Sequence, residues 1–240
     1  MQIIWLFVAG LLVNCSTAPT KISMATSTAE LEYLIRKPTV DTANPPVLIL
    51  LHGLGSNEHD LFSFASRIPE NWLVVSARGP ISQGGNRHSW YNAKMENGKI
   101  AINFQEEEQS RQKVLSLIDY LEKTYKADKN KVVLAGFSQG AAMALCTGLT
   151  EPEKVAGFAL SSGRFVEEIE PLVSRSPNLK KLRSFIAHGS GDTMLPIRYA
   201  AETKAKLEQL GIPFLYSEDT TGHTISAKQF SDFLQWLSQI

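Results

Sequence analysis

The stretch Lys131-Val132-Val133-Leu134-Ala135-Gly136-Phe137-Ser138-Gln139-Gly140-Ala141-Ala142-Met143-Ala144-Leu145-Cys146 changes character twice. Its first part is a short apolar run rich in β-branched residues, which reads as a strand buried on both faces. Its last part is built of small apolar residues and reads as a buried helix. Between them Gly136-Phe137-Ser138-Gln139-Gly140 sets a serine between two glycines. A tight turn from strand to helix needs those glycines, because a side chain at either one would strike the neighbouring backbone. Such a turn lifts Ser138 above the sheet and sets it at a helix N-terminus, where developing negative charge is favoured. The competing reading is a Gly-rich loop in which the serine only caps the helix.

The same alternation continues in both directions. Leu31–Arg36 reads as a short edge strand, and Val47–Leu51, Trp72–Ser76, Val155–Leu160, Phe185–Ala187 and Pro213–Tyr216 as further strands. Helices fill the gaps. Val114, Ile118, Leu121 and Tyr125 recur at helical spacing, as do Phe230, Phe233, Leu234 and Leu237. Pro196 opens a helix that runs to Leu210 and stops at Gly211. Strands separated by helices imply right-handed crossovers and a mainly parallel sheet covered on both faces. Ligands then bind beyond the carboxyl ends of the strands, so chemistry is expected in the loops that follow each apolar run.

A serine hydroxyl needs a base. In serine enzymes of this architecture the partners follow in the order Ser, acid, His. His223, in Thr221-Gly222-His223-Thr224, is the only histidine beyond residue 188 and lies between the last strand and the last helix. For the acid, Asp192 follows a strand end among glycines. Its role is to orient the His223 ring and stabilise the imidazolium. Glu167, Glu168, Glu170, Glu218 and Asp219 compete for that role, but they fall in polar stretches typical of a solvated face. Leu51-His52-Gly53-Leu54-Gly55-Ser56 follows the first buried strand and is placed to supply an oxyanion donor from Leu54 N–H, the second coming from Gln139 N–H. Read alone, this loop is equally a plain glycine turn. Trp90 and Tyr91 sit in a loop rich in Gly, Asn and Ser, where an aromatic either lines a substrate pocket or anchors the loop by packing.

Taken together these motifs resemble the phospholipase/carboxylesterase family of small serine hydrolases, which includes the acyl-protein thioesterases. The resemblance rests on Leu51-His52-Gly53-Leu54-Gly55, Arg78-Gly79-Pro80, Trp90-Tyr91, Gly136-Phe137-Ser138-Gln139-Gly140, His188-Gly189 with Asp192 and Pro196, and Gly222-His223. It spans roughly residues 31–239. It implies an α/β-hydrolase fold without a large cap, Ser138 as nucleophile, Asp192 as acid, His223 as base, and Leu54 and Gln139 as oxyanion donors. The implied activity is hydrolysis of short- to medium-chain acyl esters or thioesters, lysophospholipase-like substrates included, with no cofactor and no metal. Thr193-Met194-Leu195 stands where the family more usually has valines, which marks Met194 as a pocket residue. A peptidase on the same triad commonly adds a propeller or cap for which Gly163–Ser184 leaves no room. A binding protein that kept only the fold is expected to have lost part of the triad, and every position is filled.

Composition narrows the partners. Lys+Arg and Asp+Glu are 24 each among 240 residues, so there is no basic excess for binding nucleic acid. Hydrophobic residues at 43% are enough for a sizeable core. The two cysteines, Cys15 and Cys146, exclude a disulfide framework and a Cys-rich zinc site. Cys146 reads as a packed, inert thiol. Residues 1–15 read as an export signal: Ile3–Val13 is an apolar run too short to span a bilayer. Leu12-Val13-Asn14-Cys15 resembles a lipoprotein processing site with a lipid anchor at Cys15. The expectation is an exported, periplasmic or lipid-anchored protein with a tether over 16–30 and a single catalytic domain over 31–240. Translation from Met24 is the alternative and makes the protein cytoplasmic.

Overall fold

The computed structural model describes residues 23–26, 31–96 and 98–240. Its strands are β1 (Ser23–Thr26), β2 (Glu32–Arg36), β3 (Val47–Leu51), β4 (Leu73–Ala77), β5 (Ile81–Ser82), β6 (His88–Ser89), β7 (Ala93–Glu96), β8 (Lys99–Ile102), β9 (Val132–Phe137), β10 (Gly157–Ser161), β11 (Arg183–Gly189) and β12 (Phe214–Asp219). The helices are α1 (His59–Phe62), α2 (Phe104–Tyr125), α3 (Gln139–Thr150), α4 (Arg198–Leu210) and α5 (Ala227–Leu237). Eight strands form one sheet in the order β1-β2-β4-β3-β9-β10-β11-β12. β1 and β2 run antiparallel to their neighbours, and the pairings from β4 to β12 are parallel.

Period-two alternation sorts the strand side chains between two cores. Val47, Ile49 and Leu51 of β3 and Val132 and Leu134 of β9 face α2, α3 and α4. Leu48, Leu50, Val133 and Ala135 face α1 and α5. Burial on both faces is why these runs contain almost no polar residue. α3 is buried from Gln139 to Leu149, which explains its run of alanines: a helix wedged between sheet and α2 has no exposed face to decorate.

Two readings of the N-terminal part are corrected. Leu31–Arg36 is not the edge of the sheet, because Ser23–Thr26 pairs outside it. Those four residues belong to the stretch 16–30 read as a tether. Backbone pairing to an open strand edge requires no side-chain pattern, so composition gave no sign of it. The signal peptide at 1–15 and the lipid anchor at Cys15 lie outside the described residues. The loop read over Gln83–Asn92 contains β6, which pairs with β5, and a second hairpin, β7–β8, follows it. Gly163–Ser184 holds two short 3-10 helices, Glu167–Leu172 and Pro177–Lys181, and no cap.

Candidate active site

The carboxyl ends of β3, β4, β9, β10, β11 and β12 all open on one side of the sheet. At the end of β9, Ser138 has φ 53° and ψ −113°, a strained backbone for a residue with a side chain. The strain is held from both sides. A Cβ at Gly136 would lie 2.2 Å from Gly140 C, and one at Gly140 would lie 2.0 Å from Leu51 O. Both glycines are therefore demanded by the closeness of α3 to β9 and β3. Ser138 N–H donates to Ser161 O at 2.9 Å, tying the turn to β10. Gln139 is the first residue of α3, so its N–H has no acceptor within the helix.

Asp192 and His223 meet across the ends of β11 and β12. His223 Nδ1 donates to Asp192 Oδ2 at 2.7 Å. The other carboxylate oxygen accepts Met194 N–H at 2.9 Å and Leu195 N–H at 2.8 Å. Asp192 is 4% exposed. Burial pushes its carboxyl up, but the His223 ring, the Leu195 N–H and the nearby His188 outweigh burial and hold it below the ordinary carboxylate range. The competing acids are occupied elsewhere. Glu218 accepts the Tyr216 hydroxyl at 2.7 Å, and Asp219 accepts Thr221 N–H at 2.9 Å. Glu167 and Glu170 are exposed on a 3-10 helix together with Glu168. The His223 ring packs on Phe137, with centroids 4.8 Å apart.

Ser138 and His223 line the same cleft, of about 320 Å³, with Leu54, Tyr91, Met95, Ile100, Ala142 and Met194. Gln139 and Arg164 also line it. Leu54 and Met194, both expected at the site, stand on its rim and are 56% and 73% exposed. Trp90, expected as a pocket residue, is corrected: it is fully buried, and its neighbour Tyr91 lines the cleft instead. Trp90 is an anchor. Its Nε1–H donates to His52 O at 2.9 Å, and its backbone N–H donates to Gln139 Oε1 at 2.8 Å. Gln139 Nε2 in turn donates to Tyr91 O at 2.7 Å.

Two histidines that sequence reasoning left without roles brace the site. His52 donates through Nδ1 to Gly53 O at 2.8 Å and accepts Gly79 N–H on Nε2 at 2.9 Å. Burial holds its ring below the usual histidine range, so it is a neutral strut between the Leu54 loop and the end of β4. His188 donates through Nε2 to Leu195 O at 2.7 Å and so closes the loop that carries Asp192. Both histidines lie inside motifs quoted above, but a strut and a ligand look alike in sequence. Arg78, the first residue of Arg78-Gly79-Pro80, donates to buried Glu58 at 2.6 Å and is also paired with Glu32.

Comparisons with known proteins agree with this geometry. The model of the phospholipase/carboxylesterase family matches residues 37–240. Acyl-protein thioesterase 1 of Mycosarcoma maydis is 27% identical over 197 residues, covering 72% of this chain and 80% of that protein. The protein of the same name from Schizosaccharomyces pombe is 26% identical over 226 residues, covering 85% and 93%. Among solved structures, the Bacillus cereus carboxylesterase superposes with a TM-score of 0.75 at 23% identity, covering 88% of this chain and 95% of that one. The Mesorhizobium loti carboxylesterase gives 0.76 at 21%, covering 91% and 99%. These two likenesses establish the α/β-hydrolase fold. With the family model spanning most of its length, the chain belongs to the phospholipase/carboxylesterase family and is a carboxylic ester hydrolase.

Proposed function

We propose that Ser138, His223 and Asp192 are the catalytic triad of an esterase acting on short- to medium-chain acyl esters or thioesters. The observation that carries this reading is the 2.7 Å bond from His223 to Asp192 beside the cleft that Ser138 also lines. That bond occupies Nδ1 and leaves Nε2 as the nitrogen that takes the Ser138 proton. Ser138 Oγ attacks the acyl carbon, and the tetrahedral oxyanion is met by the N–H groups of Leu54 and Gln139, each contributing about 3 kcal/mol to lowering the barrier. His223 hands its proton to the departing alcohol or thiol. It then takes a proton from water, whose oxygen attacks the acyl-enzyme, and returns that proton to Ser138 Oγ as the acyl–oxygen bond breaks and the acid leaves. Asp192 stabilises the imidazolium in both halves.

Substrate size follows from the cleft. Its walls are largely apolar and no cap covers it among the described residues, which suits a short or medium acyl chain. Thioesters belong in the substrate range because two relatives carry the name acyl-protein thioesterase. The test is a p-nitrophenyl ester series from acetate to palmitate. Turnover is expected to peak at or below octanoate, and Ser138→Ala should lower kcat by about 10⁴-fold or more with the fold intact. Unchanged turnover in Ser138→Ala, or no labelling of the wild type by a fluorophosphonate, refutes the mechanism. We also propose export through residues 1–15 with lipid attachment at Cys15, and the intact mass of the mature protein from its native host tests it.

A further inference from the structure

The cleft wall contains one group that ester hydrolysis does not use. Arg164 follows β10 and is only 8% exposed, yet it lines the catalytic cleft. A buried guanidinium normally sits against a carboxylate, because an unpaired buried charge is costly. The chain follows that rule elsewhere. Arg78 is bound by Glu58, and Arg111 by Glu108 at 2.6 Å. Lys94, the other cation of the cleft wall, is exposed and paired with Glu96 at 2.6 Å. Arg164 has no ion pair with any described residue. Its Nη1 donates to Phe165 O at 3.1 Å and its Nη2 to Ile100 O at 3.4 Å. Those are two of the five N–H groups a guanidinium carries.

Arg36 is the informative control. It too is buried without an ion pair, donating to Pro69 O and Trp72 O. It sits beside the start of β4, at the end of the sheet away from the catalytic loops. Arg164 stands instead where the catalytic cleft meets a second, polar groove of about 510 Å³, and it lines both. The backbone that carries it there is strained: Ser162 has φ 48°. Backbone strain of this kind concentrates at functional sites. An apolar cleft with a serine in one wall and an unpaired, anchored guanidinium in another matches an ester that carries a second, anionic group. Arg selects planar carboxylates through its fork of donors.

Resting on the triad proposed above, we infer that Arg164 is a recognition residue for a free carboxylate carried by the ester substrate. Half-esters of dicarboxylic acids are the substrate class with the carboxylate on the acyl side. Esters of hydroxy acids are the class with it on the alcohol side.

The test uses matched pairs: p-nitrophenyl hexanoate against p-nitrophenyl hydrogen adipate for the acyl side, and phenyl hexanoate against the hexanoate ester of 4-hydroxybenzoate for the alcohol side. In one pair kcat/KM of the wild type is expected to be about 10- to 100-fold higher for the charged member, the worth of one charge-assisted hydrogen bond. The pair that shows it identifies the side. Arg164→Gln should erase that ratio through KM, lowering kcat/KM for the charged ester at least about tenfold more than for the neutral one. Arg164→Lys, which keeps the charge but loses the fork, should retain part of it. Free adipate should inhibit the wild type more strongly than Arg164→Gln. Wild-type enzyme that hydrolyses the neutral esters but shows no preference in either pair overturns the inference and leaves the triad standing. Equal loss on charged and neutral esters in both variants also overturns it and makes Arg164 a structural residue. Failure of the wild type on every ester sinks the triad proposal and this inference together.

Discussion

Two of the carboxylates buried among the described residues, Asp192 and Glu107, are treated in opposite ways. Asp192, between the ends of β11 and β12, meets two backbone N–H groups and an imidazole, and its carboxyl is held below the ordinary range. Glu107, inside the α2–α3 interface, is fully buried, and neither of its oxygens has a well-formed hydrogen bond. Burial pushes it up to about 7, with Arg111 and the Cys146 thiol offsetting only part of the cost. The difference teaches that depth alone does not set a carboxyl's charge state. Donors aimed at the oxygens do, and the chain supplies them where the proposed chemistry needs a permanent anion.

The sharpest way to break that comparison is to remove the anion and keep its shape. Asp192→Asn should lower kcat by about 10⁴-fold, because an amide no longer fixes the His223 tautomer or stabilises its protonated ring. The measurement is steady-state turnover of p-nitrophenyl hexanoate beside a thermal melt. A loss below about tenfold shows that the Asp192–His223 bond is structural only. The pH dependence has a definite sign. A carboxyl whose folded pKa is depressed contributes stability above its unfolded value of 3.8, and that stability is lost as pH falls through the folded value. The Asp192 site therefore weakens only below about pH 3.8, and the carboxylate stays charged through the neutral range.

Sequence reasoning reached this site well in some places and missed it in others, for physical reasons. Val47–Leu51 was legible to the residue, because a strand buried on both faces admits only apolar side chains. The placement of Ser138, Asp192 and His223 at the carboxyl ends of strands was legible because glycines and strand ends frame them. Trp90 was not: the same loop composition surrounds a pocket aromatic and an anchoring one, and only its bonds to His52 O and Gln139 Oε1 separate the two. The β7–β8 hairpin was missed because its residues are exposed or half-buried and carry no alternation to a core. Arg164 had no signal at all. Its meaning lies in the absence of a counterion among described residues brought together from distant parts of the chain.

Glu107 gives the smaller and more diagnostic effect. Its sign is the reverse of Asp192's, because its folded pKa lies above the unfolded one. Below pH 4.5 the carboxyl is protonated in both states and costs no ionisation energy. Between pH 4.5 and about 7 the unfolded chain releases the proton and the folded chain keeps it, so stability falls as pH rises. Above about 7 the full penalty is present. A rise from 4.5 to about 7 corresponds to about 3 kcal/mol at 1.36 kcal/mol per unit. Glu107→Gln cannot ionise, so its denaturant-derived stability should lose the slope in that window and exceed the wild type's by about 1–3 kcal/mol at pH 8. The buried amide is left as poorly bonded as the acid was, which keeps the gain at or below the full figure. Turnover should be unchanged, since Glu107 touches neither Ser138 nor His223. A wild-type stability that is flat from pH 4.5 to 7, or a variant with the same slope, shows that Glu107 finds donors in solution and removes the contrast with Asp192.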